Sequence, residues 1–178
     1  PNRNMKSLHI ITPVKDSIDT TLETVRAVLD SKLSVPFTYT VYNDFSTPEN
    51  TARLEAASRE MGFGLVNLSD LTSHPSPNYL LVLQRTQRLA LEADAGLCIV
   101  ESDVVVRPDT LQGLFDGAQA RPDCGIAASV TVDDAGEGSY AYRYGRKWPH
   151  GAVDSKRHGS FCCSLLTPRL LAAFPFAE

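Results

Sequence analysis

Short apolar runs separated by stretches of helical spacing set the rhythm of this chain. Ser7 to Ile11 is an apolar run that predicts a strand, closed by Thr12 and Pro13. A helix is expected from Asp16 or Ser17, with Asp16 as its cap and Ile18, Leu22, Val25 and Leu29 on its inner face. Phe37 to Tyr42 is rich in aromatic and β-branched residues and reads as a second strand, ending at Asn43-Asp44. Thr47 and Pro48 then suit the N-cap and first position of another helix, lined by Leu54, Ala57 and Met61 and ended by Gly62 and Gly64. Gly64 to Leu68 predicts a third strand, and Ser69 to Asn78, with Pro75 and Pro77, an irregular loop. Helical spacing returns over Tyr79 to Ala93, with Leu80, Leu83, Ala90 and Leu91 inward. Leu97 to Val100 is a fourth strand, a helix follows from Pro108-Asp109 to about Ala120, and Gly125 to Val130 is a fifth strand. Asp133 to Gly138 is a turn, Gly145 to Gly159 a basic loop, and Ser160 to Leu166 a last strand before a short helix from Pro168.

Strands alternating with helices predict an α/β fold: a doubly wound, mainly parallel sheet with helices on both faces. In such sheets ligands bind outside the carboxyl ends of the strands. Thr12-Pro13, Asn43-Asp44 and Glu101-Ser102-Asp103 each follow a predicted strand directly, so all three should meet on one edge. Glu101 and Asp103 end an apolar run, where carboxylates are costly unless water, a cation or hydrogen bonds meet them. Their spacing lets both reach toward one hard cation. A plain acidic turn is the competing reading of that motif alone.

Composition narrows the function classes. The 178 residues suffice for one domain with a proper core, and 43% apolar with 21% charged residues fits a soluble globular protein. A net charge of -4 lacks the basic field of a nucleic-acid binder. No apolar run is long enough for a transmembrane segment, and PNRNMKSLHII lacks the features of a signal peptide. Cys98, Cys124, Cys162 and Cys163 form no C-x-x-C pair, which points to reduced, mostly buried thiols and a cytoplasmic location.

Three segments in this order, HIITPVKDS from His9, VYNDFSTPENT from Val41 and IVESDVVVRPDTL from Ile99, resemble glycosyltransferase family 2, which has the Rossmann-like GT-A fold. The family's D-D-G-S-T segment reads Asn43-Asp44-Phe45-Ser46-Thr47 here, and its D-x-D reads Glu101-Ser102-Asp103. Gln84-Arg85-Thr86 stands where the family often has Ala-Arg-Asn, and Gly159 to Phe176 resembles the strand-helix piece after the acceptor loop. The resemblance covers nearly the whole chain and implies an inverting, metal-dependent transfer of a sugar from a nucleotide-diphosphate sugar. The acceptor would be a glycan, a lipid-linked molecule or a protein. Asp103, with Glu101, would hold Mn²⁺ or Mg²⁺, which bridges the diphosphate. Thr12, Pro13 and Val14 would line the base and ribose, Asp44 would accept from the base, and Arg85, Glu101 and Ser102 would also touch the nucleotide sugar.

Each role has a plainer counterpart in the residues themselves. Pro13 also suits a strand stop, Asp44 a turn, Arg85 a solvated helix surface and Glu101 a solvated carboxylate. Arg143, Arg146, Lys147, Trp148, His150, Lys156, Arg157 and His158 suit either a loop closing over a pyrophosphate or a solvated basic loop, and Cys162 and Cys163 suit core. By resemblance, the catalytic base lies in an acidic motif after a segment that here reads Phe174 to Glu178, so residues 1–178 are expected to form one donor-binding domain without the acceptor part. Such a chain would bind a nucleotide sugar yet transfer it poorly, and Asp133, Asp134 and Asp154 read as turn residues before they read as bases. A non-catalytic nucleotide-sugar-binding domain is the alternative. A sugar-nucleotidyltransferase fits less well, because Thr12-Pro13-Val14-Lys15 is not the Gly-rich loop that holds a triphosphate.

Overall fold

The computed structural model describes residues 5–138, 151–155 and 160–177. Six strands form one sheet: β1 (Ser7–Val14), β2 (Phe37–Asn43), β3 (Gly64–Asn67), β4 (Ala95–Val100), β5 (Ile126–Ala128) and β6 (Cys163–Leu166). Their order is β3-β2-β1-β4-β6-β5. The first four run parallel, and β6 lies antiparallel to both β4 and β5. The α/β alternation thus produces the expected mainly parallel sheet.

Helices cover both faces. α1 (Ile18–Leu29), α2 (Pro48–Met61) and α4 (Thr110–Gln119) pack on the face that carries Leu8, Ile10, Val41, Cys98 and Val100. α3 (Tyr79–Glu92) and α5 (Pro168–Ala173) pack on the face of Ile11, Tyr42, Leu97 and Ile99. β4 is buried at all six residues, as a central strand covered on both sides must be. Among the described residues no helix is long and apolar enough to cross a membrane. Cys98 and Cys163 are buried, Cys124 and Cys162 half-buried, and all four are free thiols.

Several expected boundaries shift for physical reasons. β1 does not close at Thr12-Pro13 but runs on to Val14, because β2 continues to pair with it there. Val14 gives its carbonyl to the Asp44 N–H on the β2 side, 2.8 Å. Pro13, one residue earlier, therefore turns its donor-less nitrogen toward β4, where pairing has already stopped at Ile11 and Ile99. β5 is only Ile126–Ala128, shorter than Gly125 to Val130. α3 turns Val82, Leu83, Thr86, Gln87 and Ala90 inward, whereas Leu80 is 40% exposed. α1 buries Thr21, Thr24 and Val28 beside Ile18 and Val25, leaving Leu22 and Leu29 only half-buried. α2 is built as its sequence implies: Thr47 Oγ1 accepts the Asn50 N–H at 3.3 Å, Pro48 opens the helix, and Gly62 closes it at φ 80°.

Candidate functional site

β2, β1 and β4 are neighbours and run parallel, so their carboxyl ends share one edge. The motifs after them therefore meet there, as topology requires. Which side chains face the same way follows from strand parity. Ile11, Tyr42 and Ile99 point to the α3 face. Pro13, beside Tyr42 in register, shares that face, and so does Glu101, two residues past Ile99. Thr12 and Val14 point the opposite way and are buried. Thr12 shares a hydrogen bond with the Tyr39 hydroxyl, 2.8 Å, so only its backbone is available at the edge.

Asp44 anchors the other wall. Its Oδ2 accepts the Ser76 hydroxyl and the Asn78 N–H, and its Oδ1 accepts the Asn78 side-chain amide, all at 2.8 Å. Burial works to raise its pKa, but the hydrogen bonds from Asn78 and Ser76, with the charge of Lys15, carry it below its ordinary value. Asn78 immediately precedes α3, so Asp44 fixes where that helix starts. Asn43, in the position of the resembled family's first Asp, is 2% exposed. Its amide donates to Thr51 Oγ1 and Asn67 Oδ1, both at 2.9 Å, and its oxygen accepts the Ser46 N–H. That role needs an amide, because a carboxylate has no donor to offer.

Asp16 does not cap α1. It adopts φ 59°, and Ser17 follows at φ 34°, which turns the carboxylate away from its own helix. Asp16 Oδ1 instead accepts the Thr47 N–H at 2.8 Å and the Asn50 side-chain amide at 3.0 Å, and so ties the loop after β1 to the start of α2. Lys15 adds a bond from its ammonium to the Phe45 carbonyl, 3.2 Å. The loops after β1 and β2 are thereby laced into one rim.

Glu101 and Asp103 complete the edge. The Glu101 N–H is held by the Cys162 carbonyl at 2.9 Å, and the Glu101 carbonyl accepts the Val104 N–H, which folds residues 101–104 into a turn. Burial, and then the charge of Asp103, push the Glu101 carboxyl above its ordinary range. Ser102 is half-buried and Asp103 exposed. Two carboxylates with unrelieved negative charge suit a divalent cation, but among the described residues no three His, Cys, Asp or Glu side chains converge. The donor set fits Mn²⁺ or Mg²⁺ only with ligand oxygens filling the remaining positions.

Two side chains of α3 bury a donor atom without a partner: Arg85, which the resemblance implies as a nucleotide contact, and Tyr79, which was not legible as a site residue. Arg85 does not lie along a solvated surface: its guanidinium sits beside the Tyr42 hydroxyl, and its Nε is buried without a hydrogen-bond partner. Tyr79, the first residue of α3, likewise buries an unpartnered hydroxyl. Asp133 and Asp154 do structural work: Asp133 accepts the Ala135 and Glu137 N–H groups of its turn, and Asp154 pairs with Arg121. Asp134 is exposed in the same turn. Arg143, Arg146, Lys147, Trp148, His150, Lys156, Arg157 and His158 lie outside the described residues. A separate groove of about 400 Å³ runs along β3 and α2, lined by Glu55, Arg59, Asn67 and Asp70 among others, and includes none of the edge motifs.

No protein-family model and no curated protein matches this chain in sequence. Solved structures share its fold. S. aureus TarS 1-349 in complex with UDP aligns over 78% of this chain and 40% of its own, at 16% identity and a TM-score of 0.56. The same S. aureus protein in complex with UDP-GlcNAc aligns over 78% and 38%, at 17% identity and a TM-score of 0.52. The galactosyltransferase LgtC, in complex with donor and acceptor sugar analogues, aligns over 95% and 61%, at 16% identity and a TM-score of 0.50. The chain therefore has the GT-A-like fold of glycosyltransferases. It spans about two fifths of the TarS chains and 61% of LgtC.

Proposed function

We propose that this chain is the donor-binding domain of a family 2 glycosyltransferase, taking a nucleotide-diphosphate sugar at the carboxyl edge of β2, β1 and β4. The observation that carries the reading is the meeting of Pro13, Asp44, Glu101 and Asp103 on one edge, with two buried donor atoms that lack a partner, the Tyr79 hydroxyl and Arg85 Nε, on α3. Unpaired buried donors are rare in a finished core, and a ligand rich in oxygen acceptors supplies what they lack. Pro13 would flank the base or ribose together with the backbone of Thr12 and Val14, and the spare lone pair of Asp44 Oδ1 would accept from the base. Arg85 would face the diphosphate and Ser102 would border it.

A divalent cation, Mn²⁺ or Mg²⁺, would be held by Asp103 and Glu101 and would neutralise the diphosphate. Transfer would be inverting, onto a glycan, lipid-linked or protein acceptor, in the cytoplasm. The general base is unassigned, since Asp133 and Asp154 already hold local structure.

The test is thermal unfolding of the 178-residue chain with UDP, GDP, ADP and CDP, each with and without Mn²⁺. A ligand at a hundredfold its Kd should raise Tm by roughly 5–10 °C. The metal-dependent part of that shift should vanish in Asp103→Ala. A Tm indifferent to all four nucleotides would overturn the reading.

A further inference from the structure

β3 ends the sheet. β2 pairs with one of its edges, and no described strand pairs with the other. An edge strand turns the N–H and C=O groups of alternate residues outward, and those groups can accept a further strand. The open edge of β3 borders the groove of about 400 Å³ that it shares with α2, where Leu65, Val66 and Leu71 belong to the lining. Leu71 is 45% exposed there.

Charge is laid along that groove with a direction. α2 runs back along β3. Ser58, late in the helix, donates its hydroxyl to the Phe63 carbonyl just before the strand, 2.7 Å. Glu55, nearly a turn earlier, accepts the side-chain amide of Asn67, the last residue of the strand, at 3.1 Å. Arg59, next to Ser58, therefore sits toward the amino end of β3. Asp70 closes the short helical turn Leu68–Asp70 and so lies past the carboxyl end. Both side chains are exposed, and neither forms an ion pair among the described residues. The groove is thus positive at one end and negative at the other.

Such an edge is complementary to itself when turned round. Two copies of one strand related by a two-fold axis pair antiparallel, which sets the amino end of each against the carboxyl end of its mate. Arg59 of each copy then meets Asp70 of the other. Parallel pairing would bring Arg59 against Arg59 and Asp70 against Asp70. We propose that β3 is a homodimer edge, at which two chains join their sheets through antiparallel β3 strands, with two symmetric Arg59–Asp70 pairs fixing the direction. The two-fold uses up both edges, so assembly through this contact stops at two. A ladder of four residues flanked by exposed ion pairs gives a weak dimer that forms and separates with concentration. Because the strands of the two copies run in opposite directions, their carboxyl edges open on opposite sides of the joined sheet. Dimerisation of this kind does not depend on the donor-binding reading.

The experiment is sedimentation velocity on wild type, Arg59→Asp and Asp70→Arg, each over a concentration series, and on the two variants mixed in equal amounts. Both positions are exposed, so the substitutions leave folding intact. Wild type should pass from monomer to dimer as concentration rises, and no further. Arg59→Asp sets acid against acid across the axis and Asp70→Arg base against base, so each alone should self-associate about tenfold more weakly. Mixed, the two variants regain both ion pairs and should recover wild-type affinity as a one-to-one heterodimer, which native mass spectrometry identifies. A wild-type chain that stays monomeric at every concentration would overturn the proposal. So would a dimer indifferent to both substitutions, a mixture that associates no better than its components, or growth beyond the dimer.

Discussion

Asp44 holds Asn78 by two hydrogen bonds at once, its Oδ2 taking the backbone N–H and its Oδ1 the side-chain amide, each at 2.8 Å. One carboxylate after β2 thus decides where α3 begins, and α3 carries the two unpartnered donors of the site.

Asp44→Ala should therefore cost both stability and binding. It leaves donors of Asn78, itself 7% exposed, without their acceptor, at a cost of about 1–3 kcal/mol. Because the Asp44 carboxyl titrates below its ordinary 3.8, its contribution is present above that pH and is lost as pH falls through the lower, folded value. Denaturant unfolding from pH 7 down to pH 2 should show wild type and Asp44→Ala converging at the acid end.

Glu101 behaves in the opposite sense. Its carboxyl is raised above 4.5, so the fold favours its neutral form. That contribution is complete below 4.5 and is lost as pH rises through the folded value, where ionisation opposes folding. Glu101→Gln should match wild type in Tm near pH 4, exceed it near pH 7, and lose metal-dependent nucleotide binding. A Tm profile parallel to wild type at every pH would contradict this.

Asn43→Asp restores the residue of the resembled family pattern and should nonetheless destabilise. It removes the donors to Thr51 and Asn67 and sets a carboxylate against the Asn67 oxygen in a site 2% exposed. The Asn67 amide cannot turn to help, since it already donates to Glu55 at 3.1 Å. A loss of about 1–3 kcal/mol is expected at pH 7, smaller near pH 4 where the new group is protonated, as urea unfolding would reveal.

Gln87→Leu should loosen one segment only. The Gln87 amide donates to the carbonyls of Leu171 and Phe174, at 2.8 and 2.9 Å, and its oxygen accepts the Phe176 N–H at 2.9 Å. Hydrogen exchange at Phe176 should accelerate by about tenfold or more, with β1 and β4 amides unchanged.

Much of the fold was legible because strand runs such as Leu97 to Val100 and caps such as Thr47-Pro48 are local signals. The helical faces were harder. Thr21, Thr24 and Thr86 are buried polar residues that a count of apolar positions passes over, so the inner faces of α1 and α3 came out rotated. The edge motifs were found because topology alone brings strand ends together. Asp16 reads as a cap of α1 because that helix is nearest in sequence, whereas a left-handed turn sends its carboxylate toward the start of α2. Asn78 gives no such signal because its partner, Asp44, lies in another loop, and nothing local in a helix start announces that contact.

β4 bears a consequence for how the chain matures. Its first neighbour, β1, precedes it in the chain, but its second, β6, begins only at Cys163. During synthesis from the N-terminus, Leu97 to Val100 must wait with the backbone N–H and C=O groups of one edge unpaired, and such open edges are templates for pairing with another strand. Arrival of β6 closes that edge and, through the Cys162 carbonyl, seats Glu101. Protection from self-association and assembly of the acidic corner are thus one folding event.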